Sequence, residues 1–116
     1  MEPYDIIKTA AAALDDKKAQ DIEAIQVRDL TILADYFLVA SGSSSTQVKA
    51  LADEVETKLS ERGIEPHHIE GRATSWILLD YGTVIVHVFH AEARAFYHLD
   101  KMWSQGKKVG ITKLTN

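Results

Sequence analysis

Two groups of residues in this chain have types and spacings that could do chemistry. The first is Ser41-Gly42-Ser43-Ser44-Ser45-Thr46-Gln47, between a predicted strand and a predicted helix. Backbone N–H groups at a helix start suit an anion or a phosphate. Capping competes for them, because Ser44 and Gln47 have the Ser-x-x-Gln spacing of a capping box. Metal-assisted phosphoryl transfer would also need neighbouring carboxylates, usually a pair with one residue between them. The nearest strand offers Asp80 alone, and Val84 to Phe89 has no acid. The loop is therefore expected to cap its helix, with phosphate binding as the alternative.

The second group is the five histidines, His67, His68, His87, His90 and His98. No pair has the i, i+4 spacing of helical metal ligands, and no glutamate stands as in a zinc protease motif. The chain has no cysteine, which excludes disulfides and thiolate metal sites. Neither Gly-x-Ser-x-Gly nor Gly-x-Gly-x-x-Gly occurs. The expectation is no catalytic residue, no metal and no cofactor. What remains for function is an interaction surface.

Such a surface is suggested by Trp76 to Phe89, the most hydrophobic stretch, which reads as two strands and a tight turn. Alternate side chains of a strand point to opposite faces. With Tyr81-Gly82 as a two-residue turn, Asp80 would pair with Thr83, Leu78 with Ile85 and Trp76 with His87. One face then carries Trp76, Leu78, Asp80, Thr83, Ile85, His87 and Phe89. The other carries Ile77, Leu79, Val84, Val86 and Val88, and looks like core. A sheet apolar on both faces must be covered on both. The Trp76 face is either core beneath the first or last helix or a partner's docking site. Periodicity leaves the two level.

The other elements follow from pattern. Pro3 suits a first helical turn, and Ile7, Ala10, Ala11 and Leu14 share one helical face. Strands are predicted over Asp21–Val27 and Asp35–Ser41, the second central because its apolar run is continuous. Val48, Leu51, Ala52, Val55 and Leu59 form the stripe of a second helix, with Gly63 as its C-cap. A short strand is expected to end near Glu70. A last helix begins at His90-Ala91-Glu92, with Phe96, Leu99 and Trp103 as its stripe and Gly106 as its stop. The fold class is α/β, a mixed sheet with about three helices.

At 116 residues the chain is one domain. A hydrophobic share of 46% and a charged share of 26% are ordinary for a globular protein. No apolar run approaches the roughly 18–20 residues of a membrane span, and the N-terminus has no export-signal pattern. The expected location is the cytoplasm. A net charge of −4 gives no general nucleic-acid footprint. Beyond Asp100, however, Lys101, Lys107, Lys108 and Lys113 stand without an acid. This tail could touch RNA or an acidic protein; a solvated, frayed terminus is the plainer expectation.

Several motifs together resemble the iojap family of ribosomal silencing factors. They are Asp35 to Ser45, Val48 to Val55, Glu70-Gly71, Trp76 to Gly82, Val86 to Phe89, Arg94 to Tyr97 and Leu99 to Trp103. The resemblance runs from about Tyr4 to Trp103. It places a single domain over 1–103 and leaves 104–116 as a basic tail. It implies a sandwich similar to nucleotidyltransferases without their catalytic acids, and a protein that is not an enzyme. It further implies binding to the large ribosomal subunit through its protein number fourteen. Steric blocking of small-subunit joining would then repress translation when nutrients are scarce. The partner surface it implies is Trp76, Leu78, Asp80 and Tyr81, with His87 and Glu70 beside them. The same face could pair with itself in a homodimer.

Overall fold

The computed structural model describes residues 2–28, 34–71, 75–96 and 107–109. The elements run α1 (Pro3–Asp16), β1 (Gln20–Gln26), β2 (Tyr36–Gly42), α2 (Ser45–Ser60), β3 (His68–Glu70), β4 (Trp76–Asp80), β5 (Val84–His90), α3 (Ala91–Phe96) and β6 (Lys107–Val109). The strands form one sheet in the order β3-β4-β5-β2-β1-β6. β2 and β5 pair in parallel at its centre, and every other neighbouring pair is antiparallel. The mixed α/β architecture matches the fold expected from the pattern. The continuous apolar run of β2 lies centrally, as such a run must.

Both long helices form where sequence periodicity places them. Pro3 opens α1 in the first turn, where its missing N–H costs nothing. Ile7, Ala10, Ala11 and Leu14 are fully buried. In α2 the whole stripe of Val48, Leu51, Ala52, Val55 and Leu59 is buried. Ser44 caps α2 by accepting from the Gln47 N–H at 3.1 Å. At the other end the Ile64 N–H reaches Leu59 O and the Gly63 N–H reaches Ser60 O, a Schellman closure. It needs a left-handed residue, and Gly63 supplies φ +81.

α1 and α2 pack on the same face of the sheet. Their apolar stripes meet Leu38, Ala40, Ile77, Leu79, Val84, Val86 and Val88 in the main core cluster. The aliphatic face of the hairpin is therefore core, as expected. A second, smaller cluster lies on the opposite face: Ile25, Val27, Ala34, Val39 and Phe89, with Phe37, Trp76 and Ile85 packed against it.

The β4–β5 turn differs from the expectation. Asp80 lies opposite Ile85, Leu78 opposite His87 and Trp76 opposite Phe89. The loop residues are Gly82-Thr83, with the Tyr81 N–H donating to Val84 O at 2.9 Å. Gly82 takes φ +83, open to glycine at the first loop position without strain. Its amide also donates to Asp80 Oδ1 at 2.8 Å, which pins the turn there. The pairing slips by two residues, an even number, so the side chains of each strand keep their faces. Tyr81, however, leaves the turn and joins the core side of β4.

Residues 107–109 correct a second expectation. The sequence makes them part of a solvated terminus, yet they add β6 to the sheet edge beside β1, Ala24 opposite Val109 and Gln26 opposite Lys107. Backbone pairing with the open edge of β1 orders them, and lysine is a common residue on an edge strand. The expected helical positions Leu99 and Trp103, the stop at Gly106 and the side chain of Phe96 lie outside the described residues. Among the described residues, no helix is long and apolar enough to cross a membrane.

Candidate functional site

The candidate site is the sheet face opposite α1 and α2, and strand register sets its layout. Residues directly opposite on neighbouring strands share a face. One row across the sheet is His68, Asp80, Ile85, Phe37 and Ile25. The next is Glu70, Leu78, His87, Val39 and Glu23. A third holds Trp76, Phe89 and Ser41. Five of the six sequence-predicted residues, Trp76, Leu78, Asp80, His87 and Glu70, thus fall on one surface. Tyr81 does not.

The floor of this face is buried and its β3–β4 side is not. Ile25, Val39, His87 and Phe89 are buried, while Phe37, Trp76, Leu78, Asp80 and Ile85 are half-buried. His68 and Glu70 are exposed. A half-buried set of one Trp, one Phe, one Leu and one Ile, edged by two carboxylates, has an anchor-and-rim composition.

His87 sits at the centre as a floor residue, 6% exposed. Its ring meets Phe37 edge-on at 4.8 Å between centroids and lies nearly parallel to Phe89 at 6.0 Å. The Trp76 indole N–H donates to His87 Nδ1 at 3.1 Å. Trp76 also packs on Phe89 at 4.9 Å. Burial lowers the His87 pKa from 6.5 to about 4, so the ring is neutral at pH 7. His87 therefore supports the surface from beneath and is too deep to be a contact residue in its own right.

Asp80 is shared between turn and rim. One oxygen accepts from Gly82 N–H at 2.8 Å, and the other lies 3.6 Å from His68 Nδ1. His68 Nε2 is in turn 3.4 Å from Glu70 Oε1. The three form a chain along the β3–β4 edge. His68 was missed in the sequence because β3 is three residues long and its register is invisible to periodicity.

Tyr81 is a correction. It was expected at the rim, but it is 5% exposed and belongs to the main core cluster on the helix side. Its hydroxyl has no hydrogen-bond partner among the described residues. Burial pushes the phenol well above its ordinary range, with Glu56 and Glu65 adding to the effect. Gly82 fits either loop in sequence, second in a type I′ turn or first in a type II′ turn; with Gly82 at φ +83 and Thr83 not at positive φ, the loop is Gly82-Thr83.

The Gly-Ser loop is occupied by its own side chains. Gln47 Oε1 accepts from the Ser43 N–H at 2.6 Å and from the Ser43 hydroxyl at 2.9 Å. With Ser44 bonded to the Gln47 amide, the arrangement is a capping box displaced by one residue. Beside it, Arg94 is 6% exposed and reaches the second face from α3. It donates to Ser41 Oγ and to Asp21 O, both at 2.9 Å, and lies 3.5 Å from Glu23 Oε2. Asp21 has φ +48 within the register shift of β1, and Arg94 satisfies its carbonyl there. Arg94 fastens α3 to β1 and β2.

The fold is a helix-backed mixed sheet with a half-buried apolar second face, and comparisons with known proteins agree on its family. The family described as "Ribosomal silencing factor during starvation" matches residues 1–116, and the chain belongs to that family. The match includes the lysine tail, which the motifs alone did not reach. The chain is similar to the ribosomal silencing factor RsfS of Bacillus subtilis, 44% identical over 104 residues, covering 89% of this chain and 88% of that protein. It is also similar to the chloroplastic Iojap protein of Zea mays, 28% identical over 101 residues, 87% of this chain and 44% of that protein. An X-ray crystal structure of a Chromobacterium violaceum protein superposes with a TM-score of 0.86 at 39% identity, over 100% of both chains.

Proposed function

We propose that this chain silences translation by steric occupancy: it binds the large ribosomal subunit and keeps the small subunit from joining. The proposed partner is the large-subunit protein number fourteen, met by the second face of the sheet. The observation that carries this reading is the half-buried set Trp76, Leu78, Ile85 and Phe37 on one surface, bordered by Asp80 and Glu70. The apolar set offers area to bury, and the carboxylates suit a basic ribosomal protein. Trp76 is the proposed anchor, with Leu78 beside it and Asp80 and Glu70 fixing orientation. The mechanism requires no catalytic group, metal or cofactor.

Lys107 and Lys108 stand on β6, at the sheet edge remote from β3 and β4, and are proposed for peripheral contact with ribosomal RNA. Away from the ribosome, the same apolar face could pair with a second copy of the chain. The proposed location is the cytoplasm, with the ribosomes.

Co-sedimentation with purified large subunits at low salt tests the reading. The chain is expected in the subunit peak, and added small subunits are expected to join less. Its absence from that peak would overturn the proposal and favour a homodimeric scaffold.

A further inference from the structure

His87 is the residue of the second face that docking by itself does not explain. It is polar, central and 6% exposed, among aromatic rings on a floor that apolar side chains could fill. A leucine or phenylalanine there would avoid the cost of burying an imidazole. The geometry shows what the imidazole does that they could not. A tryptophan indole nitrogen is a donor only. The nitrogen it meets, His87 Nδ1 at 3.1 Å, must therefore offer a lone pair. The proton of the neutral ring is then on Nε2.

We infer that His87 is a positioning residue, whose Nδ1 holds the Trp76 indole in the one orientation that the docking face presents. This inference rests on the docking reading above and deepens it. Packing on Phe89 at 4.9 Å constrains the plane of the indole. The hydrogen bond adds a direction, because it turns the Nε1 edge to His87. Trp76 is half-buried, so part of its ring belongs to the floor and part to the surface. Fixing the buried edge fixes the exposed one. A side chain ordered before binding loses less rotamer freedom on binding. Burial supports this role: it keeps the ring neutral at pH 7, and a protonated Nδ1 could not accept.

The test uses the whole chain, large ribosomal subunits and two variants. His87→Phe keeps an aromatic ring and removes the acceptor. His87→Asn keeps an acceptor near the Nδ1 position and removes the ring. Affinity is measured where denaturant melts show each variant folded. His87→Phe is expected to bind roughly threefold to tenfold more weakly, the fold-change of ordering one large side chain. His87→Asn is expected to recover most of that loss although it packs worse, an order that a purely structural role would reverse. Equal binding by His87→Phe and the unaltered chain, or no recovery by His87→Asn, would overturn the inference and leave the docking reading standing. If the unaltered chain does not bind subunits, the docking reading itself fails.

A second measurement holds even if a variant does not fold. Long-range proton–nitrogen correlation spectra of the unaltered chain report the imidazole tautomer directly. The Nε2-protonated form is expected, with a slowly exchanging Trp76 indole proton. A proton on Nδ1 at pH 7 would overturn the inference.

Discussion

β4 and β5 present two faces that differ by one residue of register and by almost everything else. On the helix side, Ile77, Leu79, Val84, Val86 and Val88 are all aliphatic and at most 1% exposed. On the other side, Trp76, Leu78, Asp80 and Ile85 are half-buried around a floor of His87 and Phe89. Both faces are made by the same ten or so residues, at the same distance from the same turn. What separates them is the company each keeps. The first meets two helices whose stripes fill it side by side. Among the described residues, the second is met by the short α3, whose Arg94 donates to Ser41. A face that only has to be dry can be uniformly aliphatic. A face that must also orient a surface tryptophan has a reason to keep a buried imidazole.

The contrast can be broken most forcefully from the helix side. Leu79→Ala is expected to lower unfolding free energy by about 3 kcal/mol, the cost of a cavity in a packed core. Denaturant melts measure it, and binding per folded molecule should not change. A loss below about 1 kcal/mol would mean that this face is less tightly packed than it looks.

A similar effect is expected from pH, on the second face. The His87 pKa is depressed in the folded chain to about 4, from 6.5. Between those values the unfolded chain binds a proton that the folded chain refuses, so stability falls as pH falls from about 6.5 to about 4. The full loss is about 3 kcal/mol at 1.36 kcal/mol per pH unit. Melts of the unaltered chain and His87→Phe across that range should diverge, with the variant flatter. Parallel profiles would remove His87 as the source.

Leu78→Ala sharpens the division between stability and binding. Leu78 is half-buried, so truncation should cost stability about 1 kcal/mol by lost apolar area. Large-subunit binding should weaken by about 2 kcal/mol if Leu78 is a docking residue. Trp76→Ala would separate the two less cleanly, because Trp76 also packs on Phe89 and bonds to His87. A Leu78→Ala chain that binds normally would move the docking surface elsewhere.

The smallest effect concerns Tyr81. Removing a buried hydroxyl that has no partner among the described residues should leave stability within about 1 kcal/mol and on the stabilising side. Tyr81→Phe should also bind subunits as the unaltered chain does, because Tyr81 lies on the helix side. Impaired binding would return it to the docking surface.

Much of this molecule was legible in its sequence. Helical stripes at Ile7 to Leu14 and Val48 to Leu59 are strong because each repeats over several turns. The two hairpin faces survived a wrong turn position because the slip was even. Tyr81 was misplaced because a turn residue has no periodicity to read, and the choice between Tyr81-Gly82 and Gly82-Thr83 rests on backbone angle. The expected short strand ending near Glu70 is β3, but its register, which sets His68 beside Asp80, and β6 were not legible. Strands of three residues have little pattern of their own and exist through the edge they join. Arg94 stands out in the sequence only within the Arg94 to Tyr97 motif, since its partners Asp21, Glu23 and Ser41 are over fifty residues away.

By itself, the sequence determined which residues are apolar, where the two long helices and the longer strands form, and that Trp76 and Ile77 point in opposite directions. These follow from local spacing and from the geometry of a single strand or helix. Tertiary structure alone decided that both long helices choose the Ile77 side, that Trp76 lies opposite Phe89 with its indole bonded to His87, and that Asp80 and Glu70 share an edge with His68. Each depends on strand register or on packing between segments, where hydrogen-bonded pairing and core packing are settled together.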